Sequence, residues 1–338
     1  MIVTFGEIML RLAPTGYLRI GQTKQLDMTF GGGEANVAIS LANFGKHARF
    51  VTGLPQNDIG EACIGELRRW GVDVSKIIRR SGRMGIYFCE KGASQRPSKV
   101  IYDRSDSVVS RLTQNDLDWD SIFDGAQWFH FTGITPALSD SLAEALLVAC
   151  KTAKEKGIRV SCDLNYRKKL WSKEKAGKVM AGLMPYVDVL IANEEDAANV
   201  FGICAEGTNI TKGSIDLDGY RSVARQLSER FDIKTVAITL RGSVSASDNN
   251  WSALLYDGGE MYVSKKYDIH IVDRVGGGDS FAAGLIYGMI EGYDDRDALE
   301  FAVAASCLKH SIEGDFNLVS VDEVKALAGG DGSGRVQR

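Results

Sequence analysis

Short apolar runs alternate with amphipathic stretches along almost the whole of this 338-residue chain, and no other feature restricts its fold as much. Strand-like runs lie at Ile2 to Phe5, Phe50 to Gly53, Trp128 to Thr132, Ile158 to Asp163, Val187 to Ala192, Thr235 to Leu240 and Ile269 to Val272. Between them, Glu34 to Asn43, Ile59 to Trp70, Ser139 to Glu155, Ala176 to Met184, Tyr220 to Phe231 and Arg296 to Ser311 carry apolar residues near helical spacing. Strand, helix and strand in succession pack back as parallel units, so the pattern predicts an α/β fold around a mostly parallel sheet. Two segments break the rhythm, at about residues 11–30 and 85–105. In the second, GIYFCEK and SKVIY read as two strands around a polar turn, and extra strands outside a doubly wound sheet suit a lid over a site. Residues 1–328 read as one unit, and the polar, Gly-rich stretch 329–338 as a flexible tail.

Composition narrows the class. With 44% hydrophobic residues the chain can bury a large core, and its formal charge of −4 arises from interspersed signs, which argues against a nucleic-acid or acidic-membrane surface. Met1 leads straight into an apolar strand without a basic leader, and no apolar run approaches the ~18 residues of a membrane span, so a cytoplasmic protein is expected. Cys63, Cys89, Cys150, Cys162, Cys204 and Cys307 are scattered without a C-x-x-C pair and read as reduced core thiols rather than zinc ligands. His47, His130, His270 and His310 share no ligand spacing and read as structural. IDLDG, from Ile215 to Gly219, has too little of a calcium loop to be more than a solvated turn.

Two glycine clusters carry the chemistry. In DRVGGGDSFAAG, Asp273 to Gly284, three glycines sit where a strand hands over to a helix. Without Cβ atoms, Gly276, Gly277 and Gly278 can turn their N–H groups toward one point, where the helix adds its positive dipole end. A carboxylate beside an anion cradle would repel a phosphate, so Asp279 reads as a proton acceptor for a hydroxyl nucleophile, next to a backbone cradle for a moving phosphoryl group. A Gly-rich loop ending in a helix-capping Asp fits this segment equally well. In FGGGEANVAISLANFG, Phe30 to Gly45, Gly31 to Gly33 again precede a helix, and the Asn36 amide can donate to and accept from the hydroxyls of a polyol. A tight turn before a small-residue helix is the plainer alternative there. Neither cluster completes G-x-G-x-x-G, since Phe281 and Asn36 take the last glycine positions, and no G-x-x-x-x-G-K-[ST] occurs, so dinucleotide and P-loop sites lose support.

Taken together, the clusters resemble in order and spacing the ribokinase-like (PfkB) carbohydrate kinase family over essentially the whole chain. Its early G-G-x-x-x-N is matched by Gly32, Gly33 and Asn36, with the Asn one position nearer the glycines, and its late D-T-x-G-A-G-D by Asp273, Gly276, Gly278 and Asp279. DLNYRKKLW (Asp163 to Trp171), NEEDAANVFG (Asn193 to Gly202) and TLRGS (Thr239 to Ser243) fall between them in the family's order. The resemblance implies a Rossmann-like three-layer α/β/α domain with a mostly parallel central sheet, and a small β-sheet lid made of the two irregular segments. It implies transfer of a phosphoryl group from ATP, with magnesium, to a sugar hydroxyl. Asp279 then stands as the catalytic base and Gly276, Gly277 and Gly278 as the anion hole. Asn193 and Asp196 match the family's N-x-x-E, which orders water around magnesium and the phosphates, so the metal has no direct protein ligand. Asp stands here where Glu is usual, a difference to be met by an extra water or by Glu195. Thr239, Arg241 and Gly242 resemble the nucleotide-site turn after a sheet strand. Arg274 replaces the usual Thr of the late motif and Gly277 the usual Ala, which puts a nearby monovalent-cation site in question.

GEIMLRL, GGGEANVA, VIYDRSDSVVSRL, DLNYRKKLW and KHSIEGDFN most resemble 2-keto-3-deoxygluconate kinases. By that resemblance Gly33, Tyr87, Tyr102, Arg104, Arg167 and Asp315 line the sugar site. The expected product is 2-keto-3-deoxy-6-phosphogluconate, an Entner-Doudoroff intermediate. A sugar acid needs a cation for its carboxylate, and the guanidinium forks of Arg104 and Arg167 match one. Fructokinase-like relatives carry Arg at similar places, so the pair speaks more firmly for a sugar-kinase site than for an acid substrate. Fructokinase or another ketose kinase is the near alternative. A non-catalytic sugar-binding sensor is the distant one, opposed by Asp279, since a binding module needs no base. GIYFCEK is too small to bury its own apolar residues, which predicts a homodimer or higher homo-oligomer through the lid.

Overall fold

The computed structural model describes residues 1–193, 195–205 and 217–334. Glu194 of the NEEDAANVFG segment, Ile215 and Asp216 of the IDLDG turn, and the last four residues of the tail lie outside the described residues. Among the described residues, the core is a nine-stranded sheet. Six parallel strands cross it in the order Ala48–Val51, Ile2–Phe5, Trp128–Thr132, Arg159–Asp163, Val189–Asn193 and Thr235–Ser243. Asp248–Tyr256 continues the sheet antiparallel and pairs in turn with Met261–Val263 and Tyr267–His270. The mostly parallel sheet is as expected, but the antiparallel extension is not: the run Ile269 to Val272 reads as one more strand of the parallel succession, whereas the strand there is Tyr267–His270 and pairs antiparallel. A hairpin needs no crossover helix, so Asp248–Tyr256 lacks the alternation with helices that announces the other strands.

Successive residues of a strand face opposite sides, and here both sides are covered. Ile2, Trp128, Val189 and Ile191 join one apolar core with residues of the helices Gly33–Asn43, Gly277–Ile290 and Asp295–Lys309. Val3, Phe5, Phe129, Phe131 and Leu190 join the other, with residues of Asp140–Glu155, Lys173–Leu183 and Leu217–Phe231. Burial on both faces is why these strands read as continuous apolar runs. The helix starts are also written locally. Asn57, Ser139, Ser172 and Asp294 each accept a main-chain N–H of the first turn through their side chains.

The two irregular segments meet in a separate four-stranded sheet ordered Asp27–Gly31, Met9–Ala13, Ile86–Glu90 and Lys99–Asp103. Pairing begins at Met9 rather than Arg11, and the stretch between Ala13 and Asp27 is a loop holding one short turn at Ile20–Gln22. The sheet has two distinct faces. Met9, Ala13, Tyr87 and Cys89 form a small buried cluster on one. On the other, Met28, Leu12, Phe88 and Ile101 stand in a single cross-strand row, with Met28 51% and Ile101 42% exposed. All six cysteines are free thiols, and Cys204 is exposed. Among the described residues, no helix is long and apolar enough to cross a membrane.

Candidate active site

Gly276 adopts a φ of +85°, and the helix Gly277–Ile290 begins at the next residue. A Cβ on Gly276 would fall 2.0 Å from the Asp315 carbonyl oxygen, and one on Gly277 would fall 2.5 Å from the His310 ring, so both positions require glycine. At Gly278 a Cβ would meet nothing within 4 Å, because that position faces an open cavity. Gly278 and Asp279 occupy the first turn, where a helix has no internal acceptors for its N–H groups. The cradle therefore offers donors and a positive dipole end to an anion.

The two glycine clusters meet at this point, although Asn36 and Asp279 are 243 residues apart. Asn36 Nδ2 donates to Asp279 Oδ2 at 2.7 Å, while Asn36 Oδ1 accepts the Gly32 N–H at 3.3 Å. A Cβ on Gly33 would stand 3.5 Å from Asp279 Oδ1 and 3.3 Å from Thr132, which places the bare Gly33 backbone against the carboxylate. Burial pushes the Asp279 carboxyl up to about 6, against the pull of the Asn36 hydrogen bond and the Arg167 charge. Such a group is ionised at neutral pH and still basic enough to take a hydroxyl proton. Behind Gly33, buried Glu34 accepts through Oε1 from the Thr132 N–H and from the Thr132 and Thr135 hydroxyls at 2.9, 2.8 and 2.7 Å. Burial pushes Glu34 up to about 7, and its contacts tie the start of the Gly33–Asn43 helix to the end of the central strand.

On the small-sheet side, Tyr87 and Tyr102 are cross-strand partners with rings 6.1 Å apart, and the Arg104 guanidinium lies over Tyr102 at 5.3 Å. Tyr87, Tyr102 and Arg104 all line the cavity. Arg104 is not a loose fork, however. Its Nε donates to Glu7 Oε2 at 2.8 Å, Nη2 donates to the same oxygen, and Ser107 Oγ donates to Glu7 Oε1 at 2.7 Å. The paired edge expected to grip a substrate carboxylate is thus held by Glu7, which leaves Nη1 for a ligand. Asp315 and Tyr87 are likewise engaged with each other: the Tyr87 hydroxyl lies 2.6 and 2.7 Å from the two Asp315 oxygens. Arg11 donates to Asp315 Oδ1 at 2.6 Å and to Asp273 Oδ2 at 2.5 Å, closing a buried network under the cavity. Tyr87 therefore contributes a ring wall rather than a free hydroxyl. Glu7 and Arg11 escape a sequence reading because a lone charge near an apolar strand looks like a solvent-facing position. The one signal is that Arg11 interrupts MLRLA, a strand apolar on both sides of it.

At the opposite end, Asn193 Oδ1 accepts the N–H groups of Glu195 and Asp196 at 2.8 and 3.0 Å, and Asp196 Oδ2 accepts the Asn193 N–H at 3.2 Å. The Tyr166 N–H donates to Asp196 Oδ1 at 3.0 Å. Asp196 is only 3% exposed, so the shorter acid locks this turn with both oxygens instead of reaching outward. Burial, then the Asp196 charge, pushes Asp163 well above the usual carboxylate range, with Arg167 opposing. Thr239 and Arg241 line the cavity, while Gly242 lies outside the lining, opposite Asn250 on the neighbouring strand. His310 is part of the wall as well. Its Nδ1 is 2.7 Å from the Ser306 carbonyl oxygen, and its ring packs on Trp251 at 5.0 Å.

A cavity of about 430 Å³ runs from the tyrosine pair past Asp279 and the glycine cradle to Asn193, Thr239 and Arg241. A second, of about 930 Å³, shares Tyr102, Arg104, Arg167 and Asn193 with it, and its rim adds Lys168, Lys169 and Lys173. A hydroxyl seated at Gly33 and Asn36 meets a base on one side and an anion cradle on the other, which is the arrangement that phosphoryl transfer needs. The pfkB family of carbohydrate kinases matches residues 1–317. The chain belongs to that family. Among solved structures, a 2-dehydro-3-deoxygluconokinase from Thermotoga maritima is 53% identical and superposes with a TM-score of 0.94, over 97% of this chain and 98% of its own. The 2-dehydro-3-deoxygalactonokinase of Haloferax volcanii is 36% identical over 98% of this chain and 97% of its own length. The 2-dehydro-3-deoxygluconokinase of Bacillus subtilis is 27% identical over 93% of this chain and 91% of its own length.

Proposed function

We propose that this carbohydrate kinase transfers a phosphoryl group from ATP to the primary hydroxyl of 2-keto-3-deoxygluconate, at the end of the chain away from the carboxylate, giving 2-keto-3-deoxy-6-phosphogluconate. The observation that carries this reading is the 53% identity to the Thermotoga maritima 2-dehydro-3-deoxygluconokinase over 97% of the chain. The site fits it. Arg104 and Arg167, with Lys168, Lys169 and Lys173 on the adjoining rim, give the acid end of the substrate a cationic surround, and the far hydroxyl then reaches Asp279. Asn36 holds the Asp279 carboxylate toward Gly33, so its oxygen is in place to take the hydroxyl proton as the new P–O bond forms. The cradle of Gly276, Gly277 and Gly278 takes the charge of the moving phosphoryl group, while Asn193, Thr239 and Arg241 line the path for the rest of the nucleotide. Among the described residues no three His, Cys, Asp or Glu side chains are grouped to hold a metal, so magnesium would arrive on ATP, neutralising its phosphates, with Asp163 and Asn193 facing its water shell.

The second reading is the C4 epimer, 2-keto-3-deoxygalactonate, favoured by the 36% identity to the Haloferax volcanii enzyme. An ADP-release assay over both epimers, fructose, ribose, gluconate and adenosine tests the assignment. The gluconate-derived keto acid is expected to give the highest kcat/KM. A clearly higher value for fructose or ribose overturns the sugar-acid reading, and one for the epimer selects the second. We also propose that the row of half-buried Leu12 and Phe88 and exposed Met28 and Ile101 is covered by the same sheet of a second subunit, making the small sheet a lid shared within a homodimer.

A further inference from the structure

Lys309 ends the Asp295–Lys309 helix with a fully buried side chain, and no step described above uses it. Its Nζ donates to the main-chain carbonyls of Ile312 at 3.1 Å and Asp273 at 3.4 Å. Its Cε lies 3.2 Å from where a Cβ on Gly276 would stand, so the lysine runs directly beneath the glycine cradle. The two acids nearby already have close partners. Asp273 accepts from Arg11, from the Val275 N–H at 3.1 Å and from the Gly314 N–H at 3.2 Å, and Asp315 accepts from Arg11 and Tyr87. The ammonium therefore balances the charge of the acidic pair at a distance, while its hydrogen bonds go to carbonyl oxygens.

Main-chain carbonyls converging near carboxylates are the donor set that sodium and potassium take. The late motif is where resemblance to the family places a monovalent cation, yet here an ammonium carried by the chain already holds the carbonyls. The residues present do not fit a free ion. We propose that the Lys309 ammonium is a tethered replacement for a monovalent cation, pinning the Asp273 carbonyl beneath Gly276 so that the cradle keeps its anion-binding shape without potassium or sodium. Asp273 is then held through its carboxylate by Arg11 and through its carbonyl by Lys309, which fixes both ends of the residue that leads into the glycines. Lys309 is a positioning residue, and its charge lies under the point where the phosphoryl charge arrives.

The test measures ADP formation and, in a separate titration without sugar, ATP affinity by calorimetry. Both are run with magnesium and tetramethylammonium as the only cations, then with added potassium. The wild-type enzyme is expected to change by less than about twofold in either readout. Lys309→Ala is expected to lose on the order of 10²-fold in kcat and to regain at least about tenfold with potassium or methylammonium, small enough to occupy the vacated space between the carbonyls. Lys309→Met, which fills that space without charge, is expected to be impaired and not rescued. Activation of the wild type several-fold by potassium, Lys309→Met with wild-type kcat and ATP affinity, or Lys309→Ala that no small cation restores would each overturn the proposal. If Lys309→Ala does not fold, the wild-type titration and Lys309→Met still decide. ATP affinity is read without sugar, so an error in the assigned sugar leaves this outcome intact.

Discussion

Asp279 illustrates how a residue's environment sets its chemistry. Replacing it by Asn keeps the shape and removes the proton acceptor, so kcat is expected to fall on the order of 10²-fold or more, with sugar affinity changed only a few-fold. Stopped-flow or steady-state assays with separate sugar-binding titrations check both halves. For the wild type, kcat/KM is expected to fall as pH drops through about 6, since the base is then protonated, and to be flat above it. The stability sign is opposite. Burial raises the Asp279 carboxyl from 3.8 to about 6, so the folded protein loses stability as pH rises through that window and carries the full cost above it. Asp279→Asn is therefore expected to raise Tm at neutral pH by roughly 1–3 °C, an advantage that disappears once pH is below the lower value, as calorimetry can follow. Arg104 poses a different question because Glu7 already holds it. Arg104→Lys is expected to raise KM for the sugar acid by about tenfold, with smaller changes for ATP and for a neutral sugar. Glu7→Gln separates the causes: if it reproduces the whole effect, Arg104 acts through its clamp and does not read the carboxylate.

At the scale of elements, the cradle separates fold from function within three residues. Gly276→Ala forces a side chain into a φ of +85° and against the Asp315 carbonyl, so a loss of about 2 kcal/mol or more in unfolding free energy is expected, together with loss of activity. Gly278→Ala meets no atom within 4 Å and should melt as the wild type does, while its methyl stands where the phosphoryl group belongs and lowers kcat by about tenfold or more. Equal melting losses in both variants would remove the distinction. The cradle was legible in advance because its parts are local: a glycine turn, a helix start and an acid in the first turn occupy a dozen consecutive residues. The antiparallel hairpin strand Asp248–Tyr256 was not, since its partner alone makes it part of the sheet. Gly242 shows the same limit. The sequence reads it as part of a turn after the run Thr235 to Leu240, but the strand continues to Ser243 and its register turns Gly242 away from the cavity that Thr239 and Arg241 line.

For the whole molecule, the partly exposed cross-strand row on the small sheet predicts association. Light scattering is expected to give a homodimer at micromolar concentration, and Phe88→Lys, which places a charge in the middle of that row, a monomer with its main sheet intact. A wild-type monomer would sink the shared-lid reading. The sequence by itself determined the parallel α/β core, the two segments that interrupt it and the placing of Asp279 beside a glycine turn at a helix start, because hydrophobic periodicity and helix starts are set by neighbours along the chain. Only the tertiary structure decided that Asn36 would meet Asp279 across 243 residues, and that Glu7 would hold Arg104. It likewise decided that Tyr87 and Asp315 would satisfy each other, and that Lys309 would lie beneath Gly276. The reason is the exclusiveness of hydrogen bonds. A donor edge or a carboxylate oxygen can be assigned to a ligand only after the folded chain has shown which of its own groups already holds it.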